Sequence, residues 1–78
     1  MPQRTIAEAV EKAVAALKLP SPDNRRVIRV NAHLSQDYVG QVVGVDRATV
    51  SRWEHGQRTP RAEHLEIYVA LLRELQAL

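Results

Sequence analysis

Hydrogen-bonding side chains are concentrated between positions 46 and 52, where the sequence reads DRATVSR. In a helix over this stretch, Val50 and Trp53 are three positions apart and form one buried stripe. The side chains left on the outside are Arg47, Ala48, Thr49, Ser51 and Arg52. A helix with donors and acceptors on its exposed N-terminal half has the chemistry needed to read base edges in a DNA major groove.

Two short helices joined by a tight turn would hold these side chains in place. We predict helices over about 35–43 and 46–55. Ser35 and Asp46 can each accept hydrogen bonds from the free N–H groups of the helix that follows. Gly44 can end the first helix, because glycine adopts the left-handed conformation without steric cost.

In its spacing, this stretch resembles the helix-turn-helix domains of the lambda repressor and Cro-like family. The matching positions are Leu34-Ser35-Gln36, Gly40, Gly44-Val45, Val50-Ser51-Arg52-Trp53-Glu54, Gly56 and Pro60. Departures from the family pattern are His33 for a glycine, Tyr38 for an acidic residue, Gly40 for an alanine and His55 for an asparagine. None of them falls at a position that reads DNA. Glycine at position 40 is expected to weaken the first motif helix by about 0.5–1 kcal/mol relative to alanine.

The resemblance implies an all-α fold: a five-helix lambda repressor-like DNA-binding domain with a central helix-turn-helix. We expect a single domain over residues 1–78. Its parts would be an accessory N-terminal helix in 1–20, the helix-turn-helix core in 23–60 and a C-terminal helix in 60–78.

The resemblance also assigns DNA contacts to individual side chains. The base-reading set is Arg47, Ala48, Thr49, Ser51 and Arg52, of which Thr49 and Ser51 can reach either bases or phosphates. The phosphate set is Gln36, Arg58 and Arg61. Gln36, at the start of the first motif helix, is also expected to buttress the reading helix, and the two arginines lie in and just after the loop that follows the second motif helix. Backbone N–H groups near Gln36 would add a positive helix end to that contact.

Four further residues are expected to support the motif. The resemblance implies that Arg29 pairs with Glu54; the alternative is two independent surface charges. Trp53 is expected in the core between the motif helices, and Gly44 at the turn.

The positive charge of the chain is concentrated on the motif. Residues 25–61 carry seven arginines against three acidic side chains, which gives +4, whereas residues 1–24 are neutral and residues 62–78 carry −2. The planar guanidinium group suits both phosphates and guanine edges. This distribution favours a nucleic-acid partner.

An amphipathic helix should precede the motif, from a capping box at Thr5 and Glu8 to about Leu19. Its apolar stripe is Ile6, Val10, Ala13, Val14 and Leu17, and its charged side chains are expected to face water. Two interpretations are open: a docking helix that enlarges the core, or a dimerisation arm. A second helix, capped by Ser21 or Asp23, should then run to about Ala32.

The last helix should begin at Pro60, with Thr59 as its cap, and run to about Ala77. Its apolar arc is wider than one core contact needs. Either the helix lies between the motif and the N-terminal helix, or its outer edge packs against a second subunit. The residues of that edge are Ile67, Leu71 and Leu78.

The composition argues against several other classes of protein. There are no cysteines, no secretion signal and no apolar run long enough to cross a membrane, so we expect a soluble cytoplasmic protein. His33, His55 and His64 have no metal-ligand spacing, and no nucleophile motif or phosphate-binding glycine loop is present. We therefore expect no enzymatic activity, no metal and no cofactor.

Two functional hypotheses remain. In the first, the protein is a sequence-specific regulator, a repressor that binds double-stranded DNA as a homodimer and occupies a promoter. In the second, it is an antitoxin or adaptor whose terminal helices bind a protein partner while the motif binds DNA. The sequence shows no obvious disordered neutralising tail, which favours the first.

Overall fold

The computed structural model describes residues 4–78, with Ala15 described for its backbone alone; the first three residues of the predicted segment 1–20 lie outside that range. The described chain is all-α, which confirms the predicted fold class. Its five helices are α1 (Ile6–Lys18), α2 (Pro22–Asn31), α3 (Gln36–Val43), α4 (Arg47–Glu54) and α5 (Ala62–Gln76).

Side-chain caps set where the first four helices begin. Thr5, Ser21, Ser35 and Asp46 each accept a hydrogen bond from the backbone N–H group three residues later. These bonds satisfy donors that a helix start leaves free. The Glu8 carboxylate pairs with Arg4 at 3.3 Å instead of returning to the Thr5 backbone, so only half of the predicted capping box forms.

Two positions with positive φ angles lie in the turns on either side of the first motif helix. Gly44 ends α3 with φ 97°, as expected for a glycine stop. His33, in the turn between α2 and α3, has φ 60°. A residue with a Cβ atom is strained in this left-handed conformation, which explains why the resembling family has glycine at this position.

Gly40 is required by the close approach of α3 to the turn that follows it. A Cβ atom at this position would lie 2.5 Å from the carbonyl oxygen of Val45. The expected gain in helix propensity from alanine stays a prediction, and a methyl group here would in addition force α3 and the turn to shift.

The core forms where α5 packs against α2 and α3 and where Trp53 of α4 meets Tyr68 of α5. Its fully buried side chains are Val39, Val43, Val50, Trp53, Tyr68 and Leu72. The rings of Trp53 and Tyr68 are in contact, with centroids 4.7 Å apart. Trp53 is 2% exposed, as expected for a side chain between the motif helices and the last helix.

The α1 helix lies against α5, but the two ends of its apolar stripe face outward. Ile6 is 84% exposed and Leu17 85%, whereas Glu8 is half-buried. The groove between the helices is lined by Val10, Glu11 and Val14 of α1 and by Glu66 and Val69 of α5, so the middle of the stripe lies beside α5. Ile6 and Leu17 are thus not buried as a docking helix would require, whereas Glu11, Lys12 and Lys18 face water as expected. The apolar face of α5 is already covered by α2, α3 and α4, so α1 meets its more polar flank.

The start and the outer edge of α5 also differ from the prediction. Arg61, not Thr59, is the N-cap, and Pro60 is buried in the loop before the helix. Leu71 is partly buried against the core, so only Ile67 (45% exposed) and Leu78 (92% exposed) remain at the predicted outer edge. In residues 4–78, no helix combines the length and the apolar character that crossing a membrane would require.

Candidate nucleic-acid interface

The α4 helix presents three of the five predicted base-reading residues to solvent. Arg47, Ala48 and Arg52 are exposed, whereas Thr49 and Ser51 are half-buried. The opposite face of the helix carries Val50 and Trp53 into the core. The two arginines therefore project from a helix whose other side is fixed by packing.

The hydroxyl groups of α4 are less available than its arginines. Asp46 accepts hydrogen bonds from the Thr49 hydroxyl at 2.6 Å and from the Thr49 backbone N–H at 2.9 Å, and these bonds hold the pKa of Asp46 below its usual value. Because its proton is used, the Thr49 hydroxyl can accept a hydrogen bond from a base but cannot also donate one to a phosphate. The Ser51 hydroxyl lies 3.4 Å from Nδ1 of His55, which lies 2.7 Å from the Ser51 carbonyl oxygen.

An ion pair holds the C-terminal end of α4 against α2. Arg29 donates from Nε to Glu54 Oε2 at 2.6 Å and from Nη2 to Oε1 at 2.8 Å, and its Nη1 donates to the Leu34 carbonyl at 2.8 Å. Gln36 Nε2 also donates to Glu54 Oε1, at 3.1 Å. The structure thus brings Arg29 and Glu54 together and adds Gln36, at the start of α3, to the same carboxylate.

Burial and hydrogen bonding oppose each other at Glu54, which is 4% exposed. Burial alone would raise its pKa, but the hydrogen bonds from Arg29 and Gln36 and the charge of Arg29 outweigh burial, so the pKa of Glu54 lies below its ordinary value. The bond to Glu54 raises the pKa of Arg29. Both groups therefore stay charged at neutral pH, and the link between α2, α3 and α4 is retained.

Arg25 is a second internal arginine, although it is one of the seven arginines of the basic segment 25–61. It is buried, donating from Nη1 to the Trp53 carbonyl at 2.9 Å and from Nε to the Pro20 carbonyl at 2.7 Å. Burial lowers its pKa. The signal that could have revealed it is its spacing, since Arg25 falls on the same face of α2 as Ile28 and Arg29. The guanidinium groups of Arg25 and Arg29 are both bonded inside the protein, unlike the exposed Arg47 and Arg52 of α4.

Predicted residues of both kinds line one cleft between α4 and the loop that precedes α5. Thr49 and Arg52 come from the base-reading set, and Arg58 and Arg61 from the phosphate set. The α5 helix begins beside this cleft without a side-chain cap. Gln36 does not line the cleft, because its amide is held at Glu54. The cleft thus gathers three of the predicted arginines, and Gln36 lies apart from it.

The helix pair α3 and α4, the Gly44 turn between them and the exposed arginines of α4 define a helix-turn-helix DNA-binding domain. A family model described as helix-turn-helix matches residues 26–75. The chain belongs to this family, the XRE or lambda repressor-like helix-turn-helix proteins, which are DNA-binding regulators. The comparisons found no match among curated proteins or solved structures. The α1 helix lies outside the matched residues.

Proposed function

We propose that the protein is a sequence-specific regulator of transcription that binds double-stranded DNA through α4 and represses by occupying a promoter. The observation that carries this proposal is the placement of Arg47 and Arg52. Both are exposed on α4, while the buried face of that helix packs in the core and its end is bonded to Arg29 through Glu54. A rigid helix with free guanidinium groups is suited to base recognition in a major groove.

The two arginines carry most of the base reading in this proposal. Each can bond two acceptors on a guanine edge, and Ala48 between them leaves room for a thymine methyl group. Thr49, with its proton held by Asp46, acts as an acceptor for an adenine or cytosine amino group. Ser51, half-buried and close to His55, is the least accessible of the five.

The phosphate contacts in this proposal come from two sides of the interface. Arg58 and Arg61 lie on the cleft beside Arg52, where the uncapped start of α5 adds backbone N–H donors. Gln36 has a second amide N–H left after its bond to Glu54, and that hydrogen can bond a phosphate. These contacts fix the register of α4 on the duplex.

Two copies of the chain are proposed to bind one operator. One α4 helix covers only a few base pairs, and a single small module gives less specificity than a genome requires. A two-fold dimer places two α4 helices on half-sites about one helical turn apart.

The test is selection of bound duplexes from a random DNA pool, followed by binding measurements on the enriched sequence. The proposal predicts an enriched motif with two-fold symmetry. Arg73→Ala serves as a charge-matched control for Arg47→Ala, because Arg73 is exposed on α5, away from the cleft. Failure to enrich any sequence, or equal loss of affinity in both variants, would contradict sequence-specific reading by α4.

A further inference from the structure

The outward face of α1 is an apolar surface that the described chain covers only in part: Val10 and Val14 line the groove beside α5, whereas Ile6 and Leu17 do not. In addition to Ile6 and Leu17, Val10 is 54% exposed and Val14 is 42% exposed. The charged side chains of this helix lie on its other faces. An amphipathic helix normally turns its apolar stripe toward a partner, and contiguous exposed apolar patches mark interaction sites.

The spacing of the stripe fits a helical partner. Ile6, Val10, Ala13 and Leu17 follow one another at intervals of four, three and four residues, the repeat that forms a seam between two packed helices. The stripe carries no charge. DNA and anionic membranes are bound through basic side chains, so neither fits this surface.

The same stripe is complementary to itself in an antiparallel arrangement. A two-fold axis between positions 11 and 12 places Ile6 opposite Leu17 of a second copy and Val10 opposite Ala13 of that copy. Large residues then meet large ones at the ends, and a medium residue meets a small one at the centre. Such self-complementarity is what a two-fold interface between identical chains requires.

We infer that α1 is the dimerisation helix of this protein, packing antiparallel on α1 of a second copy. A specific interface is expected to bury at least about 1,000 Å² in total, and a stripe of four side chains from each copy is short by that measure. The dimer is therefore weak in free solution and is strengthened when both copies hold one DNA. Only the strengthening of the dimer by DNA rests on the proposed function. The pairing of two α1 helices is measured without DNA.

The connection from α1 to α4 gives this pairing a consequence for DNA reading. The chain leaves α1 through Pro20, whose carbonyl accepts from Arg25 Nε, and the same guanidinium donates to the Trp53 carbonyl at the end of α4. One buried side chain thus joins the end of the α1 connector to α4. The pairing of two α1 helices then sets the separation of the two α4 helices, and with it the spacing of the half-sites.

The first test compares two double variants by sedimentation equilibrium. Ile6→Gln/Leu17→Gln changes the stripe, and Ile67→Gln/Leu78→Gln on α5 is the matched control, since all four side chains are exposed. Both variants should keep wild-type helicity by circular dichroism. The stripe variant should raise the dimer dissociation constant at least tenfold, with a change of less than twofold in the control.

Three results would overturn the inference. If the control alone weakens the dimer, the interface lies on α5. Equal dimerisation of wild type and the stripe variant removes α1 from the interface. A wild-type chain that stays monomeric with and without operator DNA has no such dimer, and the stripe then belongs to a different protein partner. A failure of the proposed function shows separately, as the absence of any enriched DNA sequence.

The second test fixes the direction of pairing. The chain has no cysteine, so single cysteines introduced at chosen positions can pair only with each other. Val10→Cys chains are mixed with Ala13→Cys chains and oxidised. Antiparallel pairing predicts that the mixed disulfide exceeds both like-with-like disulfides. An excess of like-with-like disulfides, or a statistical mixture, overturns the antiparallel arrangement.

Discussion

The guanidinium group of Arg25 bonds the main-chain carbonyl of Trp53 across 2.9 Å of the protein interior. The carbonyl belongs to the last turn of α4, where unpaired oxygens carry partial negative charge and a cation is favourable. The same guanidinium bonds the Pro20 carbonyl at 2.7 Å. One side chain near the start of α2 therefore fixes both the end of α4 and the connector from α1.

Replacing Arg25 with methionine should destabilise the protein by about 1–3 kcal/mol, because it leaves two carbonyl groups without this donor. Methionine also removes the cost of burying a charge, and this gain offsets part of that loss. Urea unfolding, followed by the fluorescence of the single tryptophan, Trp53, measures the change. Arg25→Lys is the control for charge alone and should recover part of the stability. Equal stability of the methionine variant and wild type would show that the two bonds contribute nothing.

The ion pair between Arg29 and Glu54 should make stability depend on acid pH. The pKa of Glu54 is lower in the folded state than the unfolded value of about 4.3. The stabilisation that the ionised carboxylate provides is therefore fully present above that pH, and it is lost as the pH falls through the folded pKa. Glu54→Gln should cost up to about 3–5 kcal/mol at pH 7, less where glutamine keeps a bond. The difference from wild type should shrink as unfolding is measured at pH values from 7 down to 3.

Asp46→Asn separates this effect from that of the α4 cap, whose carboxylate also has a lowered pKa. Asparagine remains a good N-cap, so this variant should keep the part of the acid dependence that comes from Glu54. A gap between wild type and Glu54→Gln that stays constant with pH would rule out the predicted linkage.

The motif helices and their ends could be predicted from the sequence because the interactions that set them are local. Ser35 and Asp46 bond N–H groups three residues away, and Gly44 needs only its own backbone freedom. The placement of Arg29 beside Glu54 spans 25 positions in sequence, and the resemblance alone implied it.

The orientation of α1 could not be predicted, because it depends on which surface of α5 remains after the other helices have packed. The stripe of Ile6 and Leu17 has the pattern of a buried face, yet the structure exposes it. The burial of Arg25 could not be predicted either. It stands in a basic run, yet it is buried because two carbonyl groups from other parts of the chain accept its hydrogen bonds.

Gly40→Ala should destabilise the protein by about 1–2 kcal/mol, although alanine is the better helix former. The steric cost of placing a methyl group against the Val45 carbonyl exceeds the gain of roughly 0.5–1 kcal/mol in helix propensity. Thermal unfolding measures the difference. Gln41→Ala is the matched control, because position 41 is exposed on the same helix and should be neutral or stabilising. A Gly40→Ala variant more stable than wild type would mean that α3 and the turn can separate at little cost.

Arg52 and Arg58 line the same cleft but should respond differently when each is changed to alanine. Arg52 projects from α4, so its loss should cost about 1–3 kcal/mol on the selected operator and relax the preference at one base pair. Arg58 lies in the loop, where a phosphate contact carries no sequence information. Its loss should weaken binding to all duplexes alike and reduce the slope of the logarithm of the binding constant against the logarithm of the salt concentration by about one. Affinities for the operator and for single-base variants, measured over a range of salt concentrations, separate the two effects. If Arg52→Ala lowers specific and non-specific affinity equally, Arg52 contacts a phosphate. Arg47 would then be the arginine of α4 that reads bases.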